Sequence, residues 1–177
     1  MSTQRNDPLL LVAKVMAFFL MGLTGLVTII LVGVIPLLLF NQADFAQAVA
    51  EAGGSSVGSA LTASIVLLLI AATVSATAFH FFQLLSRIIS TVGEDAPFTL
   101  ENAGRLSRMG WIALAFQIAS FPIGALAAYL HHLVPHEDLI VDFDFSLTGV
   151  LLAVILFILA RIFRHGAEMR EDLEGTV

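Results

Sequence analysis

Charge is missing from four long stretches of this chain, and no other feature constrains its fold as tightly. Residues 15–43 hold no Asp, Glu, Lys or Arg, and neither do residues 52–86. Residues 109–134 are uncharged apart from two His near their end, and residues 145–160 hold no charge at all. A helix needs about 20 apolar residues to cross about 30 Å of hydrocarbon. The first three runs exceed that length. The fourth reaches it only by continuing to Phe163 and taking in Arg161, whose guanidinium can snorkel toward the headgroups. Alternation with period two is missing: residues 65–70 and 151–156 are apolar throughout. A helix satisfies its own backbone in lipid, so these runs read as membrane helices, not barrel strands.

Composition supports that reading. Of 177 residues, 58% are apolar and 12% charged, where a soluble domain is about a quarter charged. Too few polar side chains remain for a water-facing shell. That excludes an ordinary cytosolic enzyme, a disordered tail and a nucleic-acid-binding domain. A net charge of −6 likewise gives no basic face for direct nucleic-acid binding. Cys is absent, which removes disulfides, thiolate metal sites, cysteine nucleophiles and thiol lipidation. The expected fold is all-α: a single four-helix membrane domain over 1–177, with spans at about 10–40, 57–86, 109–134 and 145–163.

The bases set the expected orientation. Arg5 and Lys14 precede or open the first span. Arg87, Arg105 and Arg108 lie at the connection 87–108. Arg161, Arg164 and Arg170 lie at the end of the last span and in the tail 164–177. The connections 41–56 and 135–144 carry no base. By the positive-inside rule both termini and the middle connection are cytoplasmic, and 41–56 and 135–144 are external. Asp44, Glu51, Glu137, Asp138, Asp142 and Asp144 fall outside in this scheme. A cleaved signal peptide is the alternative for the N-terminus, with Ala46–Gln47–Ala48 as its cleavage site. Its apolar core would be about 7–15 residues, and residues 9–40 run about twice that length, so a retained span is expected.

Polar residues inside the spans are the next candidates. Gln117 falls near the middle of the third span, with Ser120 and Pro122 within about a turn. Pro122 withdraws a backbone hydrogen bond from the Ile118 carbonyl and is expected to kink the helix. Thr73 and Thr77 are the expected partners of the Gln117 amide. This group reads first as an interhelical clamp and second as the lining of a small-ligand or water pocket. No acidic residue lies within a span, which argues against a proton- or ion-coupled pump. In the second external connection His132 and His136 stand at i, i+4 with Asp138 close by. Those are metal-ligand types, but Pro135 lies between the His residues and no recognised ligand spacing is matched. A solvated anionic loop is the expected role, and no cofactor is expected.

The middle connection reads Gly93, Glu94, Asp95, Ala96, Pro97, Phe98, Thr99, Leu100, Glu101, Asn102. Gly93 and Pro97 are expected to stop one helix, and Thr99 to cap the next with Glu101 in its first turn. In the tail, Arg164 with Glu168 and Arg170 with Glu174 have i,i+4 spacing. Phe98 is apolar in a charged loop and Leu173 is apolar in an acidic tail, so mutual docking or a partner site is expected there. The candidate partner-binding residues are Pro97, Phe98, Glu101, Asn102, Glu168 and Leu173.

The stretch Gly93…Pro97–Phe98–Thr99–Leu100–Glu101–Asn102…Arg105–Leu106 and the tail Phe163…Gly166–Ala167–Glu168…Leu173…Thr176–Val177 resemble two signatures of a bacterial family. Its members are four-helix inner-membrane proteins of unknown function that include the YoaS-like proteins. Their genes often lie beside one for a small Cro/CI-type helix-turn-helix regulator. The resemblance implies a bacterial inner-membrane location and a regulatory partnership with a cytosolic helix-turn-helix protein. It transfers no catalytic residue. The expected function is therefore a regulatory or signalling membrane protein, not an enzyme, embedded in the bilayer and compatible with self-association. The second expectation is a small channel, permease or export accessory for a neutral solute, with a path along Thr73, Thr77, Gln117 and Ser120. An intramembrane enzyme ranks last, because the spans hold no acid pair, Ser–His pair or metal motif at depth.

Overall fold

In the computed structural model, residues 8–54, 56–93, 97–134 and 146–174 are described. They form five helices: α1 Pro8–Phe40, α2 Gln42–Glu51, α3 Val57–Val92, α4 Leu100–Leu133 and α5 Leu147–Glu174. Four of them are long and apolar enough to cross a membrane, and the chain is a multi-pass membrane protein. α1 alone runs 33 residues, or about 50 Å at 1.5 Å per residue. Most of its residues are exposed: Ala17 is its one buried residue, while Phe18, Phe19, Ile29, Ile30 and Phe40 stand out from it. Water would not tolerate that surface, whereas lipid tails solvate it.

The helices outrun the charge-free stretches that announce them. α3 continues through Arg87 to Val92, and α4 begins at Leu100, well before Met109. The expected connection 87–108 contracts to residues 93–99. Arg87, Arg105 and Arg108 end the apolar span but not the helix, because Arg is a good helix former and no Gly or Pro breaks the run between Val57 and Val92 except Gly58 in the first turn. α5 likewise carries the tail as far as Glu174. α4 passes through Pro122 as one helix, and the Ser120 hydroxyl donates to the Gln117 carbonyl at 2.6 Å in the turn before it. The connection 41–56, expected as a loop, contains α2. Its Ala residues favour helix, Asp44 sits in its first turn, and Gly53 ends it with a φ of 73°.

Contacts divide the chain into two compact units, Met1–Thr24, Thr77–Phe116 and Ser146–Val177 in one and Gly25–Ala76 and Gln117–Phe145 in the other. All seven Lys and Arg among the described residues fall in the first unit. Its core interleaves Leu84 and Ile88 of α3, Leu106, Met109 and Ala113 of α4, and Ala153, Leu156 and Ala160 of α5. Those spacings of three and four residues define one inward stripe on each helix. The small Ala153 and Ala160 allow close backbone approach, and Gly110 takes this furthest. A Cβ there would lie 2.9 Å from the Phe157 ring. In the second unit Val49 of α2 packs with Ala60 of α3 and Leu133 of α4. Gly54 fits under α2, where a Cβ would come within 2.8 Å of the Val49 carbonyl.

Candidate functional site

Where α3 gives way to α4, the first unit holds a polar knot centred on Asn102. Thr99 caps α4 as its sequence position predicts: its hydroxyl accepts the Asn102 backbone N–H at 3.1 Å. That cap fixes Asn102 as the third helical residue and points its side chain back toward the end of α3. The side chain is fully enclosed. Its amide nitrogen donates to the Thr91 hydroxyl at 2.7 Å and to the Pro97 carbonyl at 2.9 Å, and its oxygen accepts from the Arg105 guanidinium at 2.7 Å. Arg105 is donor-only, so it requires the amide oxygen. Both amide hydrogens are then left for two groups that need a donor. Thr91 spends its own hydrogen on the Ile88 carbonyl. Arg105 also grips Glu101, one turn earlier on α4. The knot thus ties the last turn of α3, the connecting segment and the first turn of α4 into one corner.

A second contact seats this corner on α5. The Phe98 ring meets Phe163 with centroids 5.1 Å apart and planes tilted by 50°. Directly beside it, Gly166 leaves the space the ring needs: a Cβ there would stand 2.8 Å from Phe98 Cδ1. Phe98 remains 44% exposed, next to Leu100 at 51%. On α5, Met169 follows Gly166 by one turn on the same face and is 63% exposed. The exposed side chains of Phe98, Leu100 and Met169 form a small apolar ledge, with Glu101 following Leu100 in sequence and Arg170 on the α5 face of Phe163 and Gly166. The N-terminal turn of α1 reaches the same region, since a Cβ on Gly93 would lie 3.3 Å from Leu10 Cδ2.

The six candidate partner residues therefore have different environments. Phe98, Glu101 and Glu168 are exposed in part or in full, and Pro97 is half-buried. The Asn102 side chain is enclosed, and both its amide hydrogens are used within the corner. The side chain of Leu173 lies outside the described residues. Glu168 pairs with His165 at 3.0 Å, where the sequence suggested Arg164; both spacings bring side chains together on a helix. Thr91, Leu100, Phe163 and Gly166 were not among the candidates. Gly166 carried a signal, since a Gly inside a helical run often marks a close approach.

The intramembrane candidates lie elsewhere. The Thr73 hydroxyl donates to the Leu69 carbonyl at 2.8 Å, and Thr77 belongs to the first unit while Thr73, Gln117 and Ser120 belong to the second. Within the second unit, an open groove of about 370 Å³ is lined by Ser59, Thr62 and Tyr129 with Gly58, Ala63, Val66 and Leu126. None of the four expected path residues lines it. Of the metal candidates, His132 is exposed near the end of α4, and His136 and Asp138 lie outside the described residues. Among the described residues, no three His, Asp or Glu side chains cluster closely enough to hold a metal ion.

Residues 64–177 match the family model described as "Protein of unknown function (DUF2975)", a match that takes in both the Asn102 corner and α5. It covers more than half of the sequence, and the chain belongs to that family. No curated protein and no solved structure matches the chain.

Proposed function

We propose that this member of the family is a regulatory protein of the bacterial inner membrane. In this reading both termini are cytoplasmic, and the ledge of Phe98, Leu100 and Met169 is a docking surface for a soluble partner. The observation that carries the reading is the investment in one short connection. A fully buried amide, a helix cap and a glycine-seated aromatic ring hold six residues in one shape outside the apolar spans. A linker that only joins two helices needs none of these. The partner's chemistry follows from the ledge. The ledge is apolar and the segment that carries Met169 is mainly acidic in sequence, with Glu168, Glu171, Asp172 and Glu174 against Arg170, which suits a protein with an apolar knob and a basic surround. DNA-binding regulators present basic surfaces. The helix-turn-helix protein implied by the YoaS-like resemblance fits, and holding its basic face at the membrane would compete with DNA. The chain itself carries out no reaction in this reading and needs no cofactor.

Truncation tests it. Ala167 is the last buried residue described on α5, and every described side chain beyond it is exposed. Deleting residues 168–177 therefore leaves the protein inserted and helical, as read by circular dichroism and protease protection. The same deletion abolishes co-purification of the regulator and the associated transcriptional response. Unchanged binding and unchanged response would reject the regulatory reading.

The groove in the second unit supports a second reading, a facilitator for a small neutral solute. Its volume lies within the range of ligand sites, about 300–1,000 Å³, and three hydroxyls line it. Solute flux into proteoliposomes that falls on Thr62→Val would favour this reading over the first.

A further inference from the structure

Trp111 stands on the outside of the α4–α5 pair, 64% exposed, and meets the edge of Phe157 with ring centroids 5.4 Å apart. That contact sets one face of α4 beside one face of α5. The two helices run antiparallel there, because Phe157 lies opposite Gly110 while Gly166 lies opposite Phe98. Stepping toward the charged end by three or four residues stays on the same face of each helix. From Trp111 the next position is Arg108; from Phe157 the next is Arg161, and then Arg164. All three arginines are exposed. None forms an ion pair with a described residue, in contrast to Arg105, which Glu101 and Asn102 satisfy. Ile158, one turn from Arg161 on the apolar side, is 54% exposed. An indole, two exposed guanidinium groups with no ion pair to a described residue, and an apolar rail thus lie on neighbouring turns of α4 and α5 where the apolar span gives way to charge.

We propose that Trp111, Arg108 and Arg161 form a binding site for the headgroup of an anionic glycerophospholipid. The two guanidinium groups hold the phosphodiester, for which their planar fork of donors is suited. The indole lies at the level of the glycerol backbone, as interfacial Trp does, and an acyl chain runs along Ile158. A net anionic lipid is selected because a zwitterionic headgroup would bring its own cation against the same arginines. The site is distinct from the Phe98 ledge, and its occupancy does not depend on any partner.

Trp111 is the one Trp in the chain, so the native fluorescence of the full-length protein reads this site alone. The protein is reconstituted in phosphatidylcholine vesicles containing equal fractions of brominated phosphatidylglycerol or brominated phosphatidylcholine as quencher. The anionic quencher is expected to be enriched at Trp111 roughly fivefold for each arginine, and the enrichment to shrink as salt is raised. Arg108→Gln with Arg161→Gln removes the preference, while Arg108→Lys with Arg161→Lys keeps part of it. Equal quenching of the wild-type protein by the two lipids overturns the proposal, as does a Gln variant that keeps the preference. Displacement of the brominated lipid by soluble glycerol phosphate would reassign the site to a free phosphate ligand. Should the Gln variant fail to insert, the salt titration of the wild-type protein decides, and a preference that ignores salt is a negative result.

Discussion

Asn102→Ala will lower the stability of the protein by about 2–4 kcal/mol and release the 97–102 corner while leaving the membrane helices in place. The substitution strips one partner from each of three groups at once. The Pro97 carbonyl loses its side-chain donor, the Thr91 hydroxyl loses a donor, and the Arg105 guanidinium, with only 13% of its side chain exposed, loses an acceptor. A buried polar group left unsatisfied costs about 1–3 kcal/mol, and the bonds that remain, from the Thr99 N–H to the Pro97 carbonyl, from Thr91 to the Ile88 carbonyl and from Arg105 to Glu101, keep the total below the sum of three. Asn102→Asp separates the parts. It keeps an acceptor for Arg105 but sets a carboxylate against a carbonyl oxygen and a hydroxyl lone pair, so it will recover little of the loss. Unfolding in detergent measures the stability. Hydrogen exchange at Thr99 and Asn102 measures the corner, and unchanged exchange there in the Ala variant would show that the knot does not hold it.

Gly166→Ala will leave global stability nearly unchanged and yet displace Phe98. Two effects oppose each other. A Gly inside a helix costs about 0.5–1 kcal/mol relative to Ala, so the substitution favours α5. The new methyl group would sit 2.8 Å from Phe98 Cδ1 and 3.1 Å from Cγ, so the ring must leave its place on Phe163. Phe98 lies on a connection and is already 44% exposed, so it can swing out without disturbing the Leu84–Met109–Leu156 core. The expected result is a normal melting curve combined with at least a tenfold loss of partner affinity, about 1.4 kcal/mol or more. Coupling identifies the cause. In the Phe98→Ala background, Gly166→Ala will have no further effect on binding, because the two substitutions disrupt one contact. Additive losses would mean that Gly166 serves binding by some other route.

The four spans were legible because lipid imposes a simple rule, an apolar run of about 20 residues for each crossing. Residues 57–86 and 109–134 announced α3 and α4 for that reason. What charge could not announce was where each helix stops. Arg87 and Arg108 end the hydrocarbon span, but a helix continues through them until Gly93 on one side and from the Thr99 cap on the other. α2 was hidden because positive-inside reasoning treats a connection as a counter of charges, although Phe45 and Val49 at i, i+4 among Ala residues already describe a short amphipathic helix. The Thr99 cap and the apolar character of Phe98 were readable from sequence. The role of Asn102 was not, because its partners Thr91 and Pro97 lie across the connection, and exposure at a helix start is the usual fate of Asn. Gly166 needed the placement of Phe98 before its purpose could be seen.

The central claim is that the corner faces the cytosol and holds a soluble regulator, and photo-crosslinking in living cells tests it most directly. A photoreactive amino acid is placed at position 101 or 169 on the ledge, and at position 151 as a control exposed on the flank of α5. The account predicts that positions 101 and 169 both crosslink to the same soluble helix-turn-helix protein. Position 151 captures only lipid, and Gly166→Ala abolishes the crosslink at 101. Crosslinks at 101 and 169 that reach only lipid or a second copy of the chain, with the regulator present in the same cells, would contradict it.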